Sequence, residues 1–600
     1  MLVIASLLLL RGDVSKSGLL ASTAVGVVLG WRLVARGKNG QLAITRRSRG
    51  DHRGRLPKPL APAGSLLIAI VELTLVARFG LPPPLLSYFV VVTAGIFGLM
   101  LLPALDAPGC RWIAVASVAL NSILVRGLGW FAYPPGYVGV DAWYHAALVS
   151  QTNATGFIPA STDYGWFPLM QIGTSALSQL TGLDVRSAMF VFVTIPVTVL
   201  VPTAVYGLLT KHGGGFLGSV VGAMLFAFLP DLVYWGYSPI PMSMSLGFLF
   251  LALLIASEVQ QRTAKIALLA VVFLSSLLTH SIGSLVLALF LGFVPIFQSL
   301  LSRLGLGETN QGYTAAFGAT LVIAIVGYWS EASGFLFPFV VRAFAFGLRL
   351  DAFSPPLATG SDSVTILATT ASTGSVLALA ACGTTVGLRS GPPLNKMLSL
   401  FGFAWLVVGV TLVSQTGGLF AILPARWGLF GLALLIVPAG AGFRSLFATG
   451  NSNQRGRWIA IGLVALFLAG STLHPSLGPV PRSPELYPRL GLTEGEYVAA
   501  TWVLNHRFSE AVYSDPLMNL RLASLPGIPV RDGTPVLTSG ADWSGLFVFR
   551  QEAANQSIYV LAPGKVFWQA IALNQSRIDS IVNGPNSIVY DDGSTLVVRS

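Results

Sequence analysis

Apolar runs of 15 to 25 residues, separated by short polar connections, recur along the 600-residue chain. Runs of this length match the ~30 Å hydrocarbon core of a bilayer when wound as α-helices. The pattern predicts helices over 17–35, 60–79, 84–104, 112–130, 186–210, 214–232, 241–257, 264–280, 282–299, 313–330, 366–388, 396–414, 426–446 and 458–472, fourteen in all. Residues 1–10 are apolar but too short to span; with Arg11 behind them they form half of an extra pass or a signal-like stretch, and no small-residue cleavage site follows. Beyond residue 473 the pattern changes. A proline-rich linker, His474 to Pro488, precedes Thr493 and Glu496, whose capping-box spacing opens a helix through Trp502 to about His506. Strand-like runs follow at Ala511–Tyr513, Ser557–Leu561 and Ser587–Tyr590. The last meets Thr595–Val598 across Asp591-Asp592-Gly593, a hairpin signal. The fold class expected is an α-helical polytopic membrane protein with a small C-terminal α/β or α+β domain.

Composition fixes the solvent. Charged residues make up 10% of the chain and hydrophobic residues 54%, against about a quarter charged in soluble domains. Too little polar surface remains to cover a water-soluble core of this size. The charge is uneven: residues 1–472 carry 27 Lys+Arg and 13 Asp+Glu, while 473–600 carry 9 and 11. The basic excess sits in connections between apolar runs, as the positive-inside rule produces, and this excludes nucleic-acid binding as its explanation. The connection 32–58 holds nine Lys+Arg against Asp51 alone and is expected in the cytoplasm. Alternating from there puts Arg111, Lys211, Arg262, Lys265, Arg303, Arg389, Lys396, Arg444, Arg455 and Arg457 inside as well, so 19 of those 27 basic residues lie on one side. The segment 131–185 and everything after 473 then face outward. The expected organisation is an N-terminal transmembrane extension (1–111), a transmembrane core (112–472) with an outer loop at 131–185, and an extracytoplasmic domain (473–600). Sequons at Asn153, Asn555 and Asn574 fall on the outer segments and permit glycosylation there. Cys110 and Cys382 give neither a metal spacing nor a disulfide framework.

Ionisable groups are costly in lipid, so those present carry information. Of the 13 acids before residue 473, seven fall on or beside the outer face: Asp141, Asp163, Asp184, Asp231, Glu331, Asp351 and Asp362. Orientation does not require them there. Asp141 and His145 are spaced i, i+4 and share a helix face, with Trp143 and Tyr144 suited to the membrane interface. Such a pair can transfer a proton or hold a divalent cation; equally, Asp141 can be only an N-cap. His280 ends a helix near the outer face, as a ligand contact or a histidine bonded within the bundle. Asp163, before Tyr164-Gly165, is a second acid or a turn former. Arg342, Arg349 and Arg426, with Arg126 and Arg186 behind them, are the outward arginines able to grip phosphate or to anchor in headgroups.

The setting Asp141-Ala142-Trp143-Tyr144-His145 after a membrane helix resembles the first outer loop of GT-C glycosyltransferases, which include oligosaccharyltransferase catalytic subunits, protein mannosyltransferases and arabinosyltransferases. Tyr164-Gly-Trp-Phe-Pro-Leu-Met with Leu180-Thr-Gly-Leu is similar to the segment leading many of them into the next helix. The likeness runs on loosely through Pro230…Trp235-Gly236-Tyr237, Thr279-His280-Ser281, Pro424-Ala425-Arg426-Trp427 and Val512-Tyr513-Ser514-Asp515, covering about 112–600. The chain departs from oligosaccharyltransferases in having no Trp-Trp-Asp-x-Gly in the tail, and its second outer loop has Asp231 but no Asp-x-Asp.

The resemblance implies transfer of a hexose or pentose from a polyprenyl-phosphate (dolichol-phosphate-type) donor to a glycan, protein or cell-wall acceptor, at the outer face of the cell membrane. It implies Asp141 as catalytic base. His145, Trp143, Tyr144, Asp163, His280, Arg342, Arg349 and Arg426 become substrate contacts. No cofactor is assigned; if Mg or Mn serves, its ligands come from Asp141, His145, Asp231 and Glu331. The competing class is a secondary transporter or flippase of lipid-linked sugars, which suits fourteen helices but not acids crowded on one face without paired half-repeats.

Overall fold

The structure, a computed structural model, describes residues 136–137, 140–158, 164–230, 232–233, 238–303, 315–334, 363–390, 396–406, 424–448, 454–473, 492–506, 510–523, 529–539, 541–551, 557–561, 568–572, 575–582 and 586–600, with scattered residues between 114 and 126. The expected helices 17–35, 60–79 and 84–104 lie outside the described residues.

The apolar runs before residue 473 are helical wherever they are described. In chain order come α1 (Val140–Thr155), α2 (Leu169–Thr181), α3 (Val185–Met189), α4 (Ile195–Lys211), α5 (Gly215–Phe228), α6 (Pro241–Glu258), α7 (Arg262–Leu277), α8 (Ser281–Arg303) and α9 (Ala315–Gly327). Then follow α10 (Ser363–Ser390), α11 (Lys396–Leu406), α12 (Pro424–Ala448) and α13 (Gln454–Leu473). The π-turn Phe190–Thr194 joins α3 to α4, making one rod from Val185 to Lys211, and a second π-turn, Tyr328–Ala332, extends α9. Five described stretches are long and apolar enough to cross a bilayer: Val185–Lys211, Pro241–Glu258, Ser281–Ser299, Leu367–Arg389 and Gly428–Phe447. The chain is a multi-pass membrane protein.

Lipid gives helices no hydrophobic reason to associate, so close packing of small residues has to hold them together. The α10–α12 pair shows this most sharply. A Cβ on Gly383 would stand 1.9 Å from the Pro438 carbonyl oxygen, and one on Gly442 would stand 2.0 Å from that of Leu379. Gly218 and Gly440 bring α5 and α12 nearly as close, each with the other's carbonyl oxygen 2.6 Å from an added Cβ. Arg126 lies inside this bundle rather than on its outer face. It is 1% exposed, and its guanidinium donates to Ser122 Oγ at 2.7 Å and to the Ala227 carbonyl at 2.9 Å. It closes the end of α5, where carbonyls lack helical partners, so its guanidinium is engaged within the bundle.

The tail opens as the sequence predicts. Thr493 caps α14 (Glu494–Asn505) with both halves of the capping box formed. Next come β1 (Val512–Ser514), α15 (Pro516–Ala523), β2 (Val530–Asp532), α16 (Thr534–Ser539), β3 (Leu546–Arg550), β4 (Ser557–Leu561), β5 (Trp568–Ala572), α17 (Gln575–Val582), β6 (Ser587–Asp591) and β7 (Thr595–Arg599). Five strands form a mixed sheet in the order β2-β1-β3-β7-β6, with β1 parallel to β2 and β3, and β7 antiparallel to β3 and β6. β4 and β5 make a separate antiparallel pair. The β6–β7 hairpin turns at Gly593, φ 78°, with Asp591 and Asp592 accepting from the turn's backbone N–H groups. Within the domain Arg550 forks onto buried Asp515 at 2.8 and 2.9 Å.

The tail does not stand apart from the helices. One apolar cluster contains Tyr137 just before α1 and Ala142, Trp143 and Ala146 from its first half together with Leu492, Ala500, Val503, Val512, Met518, Leu546 and Val597 of the tail. Met170, Met189, Val193 and Met244 join it from the membrane helices.

Candidate active site

The site is built on α1 and α2. His145 of α1 meets Gln171 of α2, and eight residues further along α1, Asn153 meets Ser175 and Ser178 of α2. The two helices therefore run side by side in the same direction. The chain between them has to return towards the start of α1, and this carries Tyr164 back to His145. The same pairing occupies the Asn153 side chain: its Oδ1 accepts from Ser175 Oγ, and its Nδ2 donates to Ser178 Oγ at 3.4 Å. That sequon is thus part of a helix–helix seam, not an open loop.

Asp141 stands in the first turn of α1, where the positive end of the helix favours a carboxylate. It is half-buried, while His145, one turn on, is 1% exposed. Around His145 the rings close in. Tyr164 lies edge-on at 4.4 Å between ring centroids and Tyr144 at 5.7 Å, and Tyr144 and Tyr164 are themselves 5.7 Å apart. The Gln171 amide nitrogen reaches His145 Nδ1 at 3.4 Å. An imidazole and two phenol rings thus gather one helical turn along from the Asp141 carboxylate, groups able to accept a proton and to hydrogen-bond hydroxyl groups.

Trp143 points the other way. The sequence reading puts it at the membrane interface, but it is 2% exposed and packs edge-on to Tyr137 at 5.0 Å inside the cluster shared with the tail. The tail covers it. Beside it, the Arg186 Nε donates to the Gly136 carbonyl at 2.6 Å, and Arg521 of the tail lies over the Tyr497 ring at 4.2 Å. Burial raises the Tyr137 phenol above its usual range; Arg186 and Arg521 oppose this, and Asp184 and Tyr497 reinforce it.

Other candidate residues come to the same end of the bundle. The Leu169 N–H at the start of α2 donates to the Leu278 carbonyl at 3.0 Å, so the α7–α8 turn bearing His280 abuts the 164–168 turn. His280 is buried and accepts at Nδ1 from the Gly283 N–H at 3.3 Å, a bond within the bundle that caps α8. Glu331 is exposed in the π-turn after α9; three residues before it, the Tyr328 hydroxyl donates to the Trp166 carbonyl at 2.5 Å. Arg426 stands in the first turn of α12. Asp163, Asp231, Arg342 and Arg349 lie outside the described residues. Among the described residues, no three His, Cys, Asp or Glu side chains gather as metal ligands. Gln171 is the contact that sequence reasoning passes over, because it sits in a run read as simply apolar. Its signal is an amide one turn from Thr174 and Ser175, all three buried on one face of α2.

No family model matches the chain, and no curated protein matches it. Solved structures do. ArnT from Cupriavidus metallidurans in the apo state is 13% identical, with a TM-score of 0.45 over 81% of this chain and 97% of that one. The Archaeoglobus fulgidus oligosaccharyltransferase tethered with an acceptor peptide is 12% identical, with a TM-score of 0.47 over 78% and 75%. Arabinofuranosyltransferase AftD from Mycobacteria is 14% identical, with a TM-score of 0.43 over 82% of this chain but 40% of its own length. All three are GT-C glycosyltransferases.

Proposed function

We propose that the chain is a membrane glycosyltransferase. It takes a sugar from a polyprenyl-phosphate-linked donor and transfers it to a hydroxyl or amide acceptor on the extracytoplasmic face. The observation that carries this reading is the half-buried Asp141 in the first turn of α1, one turn from His145 and its two tyrosines. The sidedness rests on the distribution of basic residues in the connections, which assigns 131–185 and the tail to the outside.

In this reading the Asp141 carboxylate takes the proton of the attacking acceptor group as its bond to the sugar C1 forms. The C1–oxygen bond to phosphate breaks, and polyprenyl phosphate leaves as the anion. The lipid tail stays in the bilayer while the charged head meets the interface. Tyr144 and Tyr164 offer hydroxyls to the substrates, and Glu331 and His280 border the same end. Arg426, Arg342 and Arg349 are the proposed phosphate contacts, each able to bind two oxygens at once. If Mg or Mn takes part, Asp141, His145, Asp231 and Glu331 are its proposed ligands.

The test is Asp141→Asn in protein purified into nanodiscs, assayed with polyprenyl-phosphate sugars and surface glycans from a deletion strain. Loss of a general base lowers transfer roughly 100-fold or more. Full activity in Asp141→Asn removes the proposal. A glycan lacking one sugar in the deletion strain names donor and acceptor together.

A further inference from the structure

The turn that returns Tyr164 to His145 is fastened from outside at its far end and at its corner. Tyr164 to Phe167 form a β-turn, closed by the Phe167 N–H donating to the Tyr164 carbonyl at 3.0 Å. The far end is held by burial and backbone: Phe167 is 4% exposed within the main apolar cluster, and the Leu169 N–H donates to the Leu278 carbonyl. The corner is held differently. The Trp166 side chain is 41% exposed, so burial of its ring does little to fix this residue. What reaches the corner is the Tyr328 hydroxyl, which donates to the Trp166 carbonyl. The roles in that bond are settled, since a carbonyl oxygen can only accept. Tyr328 is half-buried, its ring packed on the same cluster as Tyr164, and Trp329 beside it is buried. Tyr328 also opens the π-turn that ends with the Ser333 N–H donating to the Tyr328 carbonyl at 2.9 Å. Such turns are rare and recur at functional sites.

From this we propose that Tyr328 is a positioning residue of the site: through the Trp166 carbonyl it sets the 164–167 turn, and with it the Tyr164 ring against His145. The inference rests on the glycosyltransferase reading for its catalytic meaning, but its physical test needs no sugar. Tyr328 acts through the turn and not on a reacting atom. A hydrogen-bonded turn of four residues moves largely as a unit, so a displaced Trp166 carbonyl carries Tyr164 with it. The Tyr164 ring lies 4.4 Å from that of His145 and 5.7 Å from that of Tyr144, between centroids. A shift of about 1 Å at the corner therefore changes what the Tyr164 hydroxyl can reach, and misplacement of that size costs up to about 100-fold in rate. The bond itself is exposed, so the fold does not depend on it, while the setting of the turn does.

The sequence makes this carbonyl readable. Of the 13 tryptophans only Trp130 and Trp166 precede a phenylalanine. Labelling with ¹³C-carbonyl tryptophan and ¹⁵N-phenylalanine, in full-length protein in nanodiscs, therefore gives two directly bonded pairs, and Phe131→Leu assigns them. Tyr328→Phe keeps the ring and removes the donor; its melting temperature in detergent should match wild type. The Trp166 carbonyl resonance should move upfield, as for a carbonyl that loses a hydrogen bond, while the Trp130 resonance stays. Amide exchange across 164–169 should quicken roughly two- to tenfold, with exchange in α12 unchanged. In transfer assays with the donor identified from the deletion strain, kcat should fall roughly tenfold with a smaller change in KM. Tyr328→Phe combined with Tyr164→Phe should be no slower than the worse single variant, because one acts through the other; a merely structural role would let the losses add. An unmoved Trp166 resonance with unchanged exchange overturns the proposal, and so do additive losses in the double variant. A moved resonance in a protein that transfers no sugar overturns the glycosyltransferase reading instead and leaves Tyr328 as the residue that holds the turn.

Discussion

The indole of Trp143 lies so close over Gly136 that a Cβ on the glycine would stand 2.9 Å from Trp143 Cζ2. The contact ties the entry of α1 to the ring that the tail covers, two residues from Asp141. Glycine is required here for room. Overfilling such a contact costs about 1–3 kcal/mol. Gly136→Ala should lower thermal stability in detergent by that amount, and activity should fall further than stability, because α1 shifts. Trp143→Ala, which empties the cluster, should cost about 3–5 kcal/mol. Melting curves read alongside transfer assays separate the two effects.

Docking of the tail should weaken in alkali. Burial holds the Tyr137 phenol above its ordinary pKa. A folded pKa above the unfolded one means a stabilising contribution fully present below the unfolded value, about 10, and lost as pH rises through the folded value. Limited proteolysis between pH 8 and pH 11 should show cleavage of the tail beginning to rise above about pH 10. Tyr137→Phe has no proton to lose and should hold the tail to higher pH. Identical alkaline release in wild type and Tyr137→Phe would contradict the assignment.

The α10–α12 crossing should tolerate nothing larger than hydrogen at its closest point. Gly383→Val would drive a side chain into the Pro438 carbonyl, with backbone rather than a flexible side chain in the way. The expected outcome is loss of monodisperse protein after extraction. Gly387, one turn along the same helix, has no atom of the described residues within 4 Å of an added Cβ. Gly387→Val should extract as wild type does, which distinguishes a steric effect from a change in helix propensity.

Much of this architecture was open to reading from residues alone. Apolar runs such as 186–210 and 426–446 announce themselves because lipid leaves a helix no other way to satisfy its backbone. The Thr493–Glu496 box and the Asp591-Asp592-Gly593 turn are local devices, complete within a few residues. What escaped reading is non-local or hidden by burial. β3, Leu-Phe-Val-Phe-Arg, is buried at every position, so it lacks the alternation that marks a half-exposed strand. Trp143 reads as an interfacial aromatic because nothing near it in sequence reveals that residues 492–597 will cover it. The burial of Arg126 is hidden because its carbonyl partners lie about a hundred residues away. Of the candidate site, Asp141 and His145 are legible from their spacing, while Gln171 becomes visible only once α1 and α2 are seen side by side.

The cluster that encloses Trp143 draws on Val597 as well as on Tyr137, and this sets an order of events during synthesis. The ribosome delivers the Asp141 helix early, yet the hydrophobic jacket around its base cannot close until β7 has emerged. A chain stopped at residue 500 or 580 would insert its passes and remain inert. Maturation of the centre thus waits on synthesis of β7, and a stop codon in the tail before β7 should abolish chemistry more than 300 residues upstream of the lesion.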